Sequence, residues 1–318
     1  MTKLVFVVLV FCTGALAADF SSLYDVEKLK NDRQRLRDDL DLVIAQEITP
    51  FLTAEQLHAF SRIELATPLS AMLDANPLDF YSPGDRKITI PLMTIAFVED
   101  MAQAYSWLWA NHYSSRTVDE YLGMLRERRP DDFPNQRYPS PLVALHIPPN
   151  AMTDPAVASM AKRVRGTTLS FILLHQMGHL SYVPSSEDAA MRRNRLDGAE
   201  ERADAFALEV MKKNSETPAG LLMLIHGMMY LPAAPPKDHP VSEGRLKAMA
   251  DFLDSRVREF SNGRPDRQLA RIAIQSLAGH LRQAGTFLAD PKGQELWAEQ
   301  GRKTNVADLV PRQLADVR

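Results

Sequence analysis

The sequence predicts a mostly α-helical fold of the α+β class, with one short β-hairpin or small sheet at an edge. Three observations predict it. Apolar residues recur at helical spacing, beginning with Leu23, Val26, Leu29, Leu36, Leu40, Val43 and Ile44. Helix-opening signals recur too: Thr53 ahead of Gln56, Asp154 before Pro155, and Thr217 before Pro218. Strand-like sequence is concentrated around the Pro83-Gly84-Asp85 turn, in LDFYS before it and KITI after it.

Taken in order, residues 22–48 read as a first helix with a solvated charged face, opened by a capping box of Ser22 and Asp25. A second helix starts at Thr53 and runs to about Leu65. The hairpin follows between Leu78 and Pro91. A third helix, from Leu92 to about His112, carries Phe97, Tyr105, Trp107 and Trp109, which at this density read as core. The proline-rich stretch 112–153 reads as an insertion, with a helix at its charged start and a short strand at LVALHI. From Asp154 a long helix runs towards Tyr182, with Gly166 as a candidate break. Ser185 to Arg195 reads as a short helix or loop. Helices are expected over EERADAFALEVMKKN, over GLLMLIHGMMYL, and at about 242–260 and 266–289. The polar tail after Pro291 has no assignable pattern.

Composition narrows the function. The chain has 318 residues, 45% hydrophobic and 24% charged, with a formal charge of −3. That is globular composition without the isolated basic blocks of a nucleic-acid binder. MTKLVFVVLVFCTGALAAD reads as a secretory signal: Lys3, an apolar run, then Ala15-Leu16-Ala17 at the cleavage site. The expectation is an exported protein, periplasmic or secreted, with no transmembrane segment after the signal is removed. A lipoprotein signal on Cys12 fits less well, because bulky Phe11 precedes it. Cys12 is the sole cysteine, so a mature chain has no disulfide and relies on its core. The domain reading is a signal at 1–17, a helical region at 18–75, a main domain at 76–260 and a C-terminal part at 261–318.

The chemistry is concentrated between Ser170 and Met211. His175 and His179 are four apart in a helix-compatible apolar run, so both imidazoles can face one ion. Glu200 follows 21 residues after His179, and Asp204 lies one helical turn further on. Two histidines, a glutamate and one open position make the ligand set of a catalytic Zn2+. The usual pattern is H-E-x-x-H, whose Glu acts as the general base. Here Gln176 stands in that place, with nearly the same shape and no ability to accept a proton.

At ILLHQMGHL and EERADAFA the sequence resembles the HtpX-like gluzincin zinc metallopeptidases. DHPVSEGRLKAM at 238–249 resembles the family's His-Pro segment with its following Arg, and DFYSPGDRKITIP at 79–91 resembles the hairpin before its metal helix. The chain departs from the pattern in Gln176, in a shorter gap between His179 and the Glu, and in the insertion. The resemblance implies a gluzincin-like core with zinc on His175, His179 and Glu200. It implies that Asp204 accepts a hydrogen bond from a ligand histidine, and that His239 and Arg245 approach the reacting carbonyl oxygen. It favours Glu200 over Glu201 as third ligand.

The resemblance also implies a lineage of zinc-dependent peptide hydrolysis, abolished or strongly impaired by Gln176. An inactivated peptidase and a natural pseudopeptidase would carry the same letters. The second reading is a peptide- or protein-binding module that retains zinc. The third is a helical interaction protein whose metal is purely structural, closed by His226 or His239.

Overall fold

The computed structural model describes residues 20–70, 76–82, 86–181, 198–231 and 239–314. The signal segment, the Pro83-Gly84-Asp85 turn and the stretch Ser185 to Arg195 lie outside the described residues. Within them the chain is mostly helical, with one two-stranded sheet.

Helix α1 spans Val26–Val43 and buries Leu29, Leu36, Leu40 and Val43. Its cap is Asp25 alone, accepting from the Lys28 N–H, while Ser22 ends a separate turn over Phe20–Ser22. Helix α2, Ala54–Phe60, has the complete Thr53/Gln56 capping box. It stops before Leu65, because Glu64–Ala66 extends into strand β1. Strand β2, Lys87–Thr89, pairs with β1 in parallel, Glu64 opposite Lys87. Of the expected hairpin, the described residues show an antiparallel bridge, Tyr81 with Thr89, on the other edge of β2. Alternation marks β2 as a strand but does not say which segment takes its second edge.

Helix α3, Leu92–Ala110, is buried over most of its length, Phe97 included. Trp109 departs from the core reading and is 64% exposed. Helix α4, Arg116–Glu127, opens the proline-rich stretch. LVALHI is not a strand: Pro141 starts the short helix α5, Pro141–Ala144, and His146 turns the chain with a positive φ of 53°.

Helix α6 is Pro155–Ser181, unbroken at Gly166. There the missing side chain makes room for the Glu47 carboxylate, so this glycine serves packing rather than a break. Then come α7 (Ala199–Lys213), α8 (Gly220–Tyr230), α9 (Glu243–Ser255), α10 (Val257–Phe260) and α11 (Arg267–Leu288). The unassigned tail forms α12, Pro291–Lys303, capped by Asp290.

This tail covers the stretch read as an insertion. The Trp297 ring lies over Gly123 of α4 and stacks on Tyr230 at 4.3 Å. Arg312 grips Glu120 with two N–H···O contacts of 3.2 and 2.7 Å. A single apolar cluster extends from Phe20 to Leu309, with α6 flanked by α3, α7 and α8. Among the described residues, no helix is long and apolar enough to cross a membrane.

Candidate metal centre

The C-terminal turns of α6 carry His175 and His179 on one face, and the first turn of α7 carries Glu200. Between the two histidines, Gly178 lies against the Ala203 backbone; a Cβ there would sit 2.8 Å from Ala203 Cα. This close approach sets the imidazoles beside the carboxylate. His239, just ahead of α9, completes the group: one donor atom each from His175, His179, Glu200 and His239 lies within 4.8 Å of the others.

The contacts within that group are short. His175 Nε2 is 3.0 Å from His179 Nε2, 3.1 Å from His239 Nδ1 and 3.4 Å from Glu200 Oε2. Glu200 reaches His179 Nε2 through Oε1 at 3.1 Å and His239 Nδ1 through Oε2 at 3.2 Å. Ligands bound at 2.0–2.1 Å around a tetrahedral ion are separated by about 3.3 Å. The donor set therefore fits a divalent cation, and these four buried or half-buried residues could hold one.

Behind the donors sits a fully buried pair. Asp204 Oδ1 is 2.8 Å from His175 Nδ1, so a carboxylate backs the far nitrogen of that ring. Arg245 is 1% exposed and binds Asp204 through Nε at 2.6 Å and Nη2 at 2.8 Å. Its Nη1 donates to the Pro240 carbonyl at 3.1 Å and lies 2.8 Å from Glu200 Oε2. Arg245 therefore turns most of its guanidinium towards the site's two carboxylates.

Burial and charge act against each other here. Burial pushes Glu200 up, but hydrogen bonds from three imidazoles and the Arg245 charge hold it far below the ordinary carboxylate range. Asp204 is likewise raised by burial and brought down, on balance, by Arg245 and His175. Burial disfavours charge on His175, yet Asp204 and Glu200 outweigh it and leave the ring more basic than usual. His239 is lowered to about 4, because burial exceeds the help from Glu200.

Gln176 is 1% exposed, with its amide engaged at both ends. Oε1 accepts from the Ser82 hydroxyl at 2.7 Å, and Nε2 lies 2.9 Å from His239 Nε2. Two of these neighbours were not read from the sequence. Ser82 and Phe80 alternate along the extended segment that bridges to β2. Ser82 meets Gln176, and the Phe80 ring stacks on His239 at 4.9 Å. The period of two ahead of β2 is the signal that points to them. Glu201 is outside the donor group, and His226 lies 3.0 Å from Asp119 Oδ1 and takes no part in it.

Comparisons of the chain with protein-family models, with curated proteins and with solved structures give no match.

Proposed function

We propose that the chain is an exported zinc-binding protein resembling the gluzincin metallopeptidases, with peptide-bond hydrolysis abolished or strongly impaired. The observation that carries this reading is the convergence of His175, His179 and Glu200 on one point, with Asp204 behind His175. Bound zinc would supply Lewis acidity and lower the pKa of a coordinated water. The chain's own part is to orient the donors and to move the proton, and the second task has no agent. Gln176 cannot accept a proton, and general-base help is worth about 10²–10⁴-fold. Its amide is already held by Ser82 and His239.

A second reading, a peptide- or protein-binding module with a closed metal centre, is favoured by His239. With four protein donors in place there is no open position for water. His239 then acts as a ligand rather than as a contact to a reacting carbonyl.

Elemental analysis of the purified protein and a casein assay test the proposal. The expected result is about one zinc per chain, in keeping with one four-donor group, and no cleavage. Chelator-sensitive cleavage by Gln176→Glu supports the peptidase lineage. A zinc-loaded but inert Gln176→Glu variant supports the binding module. A chain without metal removes both.

A further inference from the structure

The Ser82–Gln176–His239 chain has a direction. Ser82 Oγ–H donates to Gln176 Oε1, so Gln176 Nε2–H donates to His239 Nε2. An accepting Nε2 carries no proton on a neutral imidazole. The proton of His239 is then on Nδ1, which lies 3.2 Å from Glu200 Oε2 and donates to it. A ring in that tautomer cannot offer Nδ1 to a cation.

The amide can reverse the chain without changing its shape. Turning about its last torsion exchanges Oε1 and Nε2. Oε1 then accepts Nε2–H from His239, Nε2 donates to Ser82 Oγ, and the hydroxyl turns to suit. Nδ1 now presents its lone pair to the other three donors. A glutamate at this position can only accept, so it supports the second arrangement alone. The His239 ring stacks on Phe80 at 4.9 Å, and Gln176 is shut away from solvent.

We propose that Gln176, anchored by Ser82, is a positioning residue that selects which nitrogen of His239 carries the proton, and so whether Nδ1 faces the centre as a donor or as a ligand. The inference rests on the metal reading above and deepens its second form. In it Gln176 is a working part of the centre rather than a vacated base.

The test is cobalt(II) titration of the metal-stripped protein, with ¹⁵N NMR of its histidines. Gln176→Leu should weaken cobalt binding about tenfold or more, the usual cost of removing a group that orients a ligand histidine. Ser82→Ala should weaken it less, and Gln176→Glu should keep it. Without metal, His239 should carry its proton on Nδ1 in the wild type and on Nε2 in Gln176→Glu. An unchanged cobalt affinity in Gln176→Leu, or the same protonated nitrogen in both proteins, overturns the assignment. If the wild type takes up no cobalt, the metal reading fails, while the NMR comparison still decides the role of Gln176.

Discussion

Gly178 of α6 and Ala203 of α7 meet backbone to backbone, between the two histidines on one helix and the two acids on the other. The contact sets how far apart the donors sit. A methyl group at Gly178 would lie 2.8 Å from Ala203 Cα and 3.1 Å from its carbonyl oxygen, neither of which can swing aside. Gly178→Ala should therefore separate the helices and destabilise the protein by about 1–3 kcal/mol. Zinc affinity should fall with it. Gly279→Ala is the control: nothing lies within 4 Å of its added Cβ, and α11 should gain up to about 1 kcal/mol in helix propensity. Urea titrations of both variants, with and without zinc, check the contrast.

Glu200 and Glu201 are adjacent, but only Glu200 faces the imidazoles. Zinc added to the stripped wild type should raise Tm, because a ligand that binds the folded state alone stabilises it by mass action, about 2.7 kcal/mol at a hundredfold excess over Kd. Glu200→Ala should lose most of that shift and Glu201→Ala should keep it. A calorimetric scan of the three proteins, each with chelator and with zinc, separates the two acids.

Arg245 and Asp204 form a buried pair with two N–H···O contacts, and removing one member strands the other. Arg245→Met should cost about 3–5 kcal/mol, because Asp204 is left charged and buried. Adding Asp204→Asn should recover part of this loss, so the double variant should be more stable than the sum of the two single changes predicts. Denaturation of the four proteins in chelator measures the coupling without the metal. If Arg245 faced a substrate instead, Arg245→Met would leave stability nearly unchanged.

What the sequence made legible was the local chemistry. Spacing put His175 and His179 on one face, and Thr53 with Gln56 announced a cap that is present in full. What it hid were relationships between distant segments. The parallel partner of β2 is Glu64–Ala66, and no alternation inside either strand names the other. The end of α2 at Phe60 is hidden for the same reason, since Glu64–Ala66 is a strand only through its partner. The glycines misled as well: Gly166 reads as a break and Gly178 reads as nothing, although each is small because a neighbour needs the space. Within the site, the donor residues could be listed, but the use of Arg245 could not. Whether a guanidinium faces a cleft or a buried carboxylate depends on packing that one helix does not encode.

Asp100 provides a pH test away from the candidate metal centre. It is partly buried under α1 and accepts a hydrogen bond from Tyr24 Oη at 2.9 Å. Burial raises its pKa to about 6, more than the Tyr24 hydrogen bond and the charges of Lys28 and Arg35 can offset, with Glu99 adding to the rise. The sign follows from proton counting. Between the ordinary aspartate value of 3.8 and about 6, the folded chain holds a proton that the unfolded chain has released. Stability therefore falls as pH rises through that window, and the full penalty is in place above it. Asp100→Asn removes the charge and keeps an oxygen for Tyr24. It should stabilise the protein by up to about 3 kcal/mol at pH 7.5, from roughly two units at 1.36 kcal/mol each. At pH 4 the gain should be near zero. Urea midpoints of wild type and variant across this range give the comparison, and a gain that is flat with pH would mean that the buried charge is not its source.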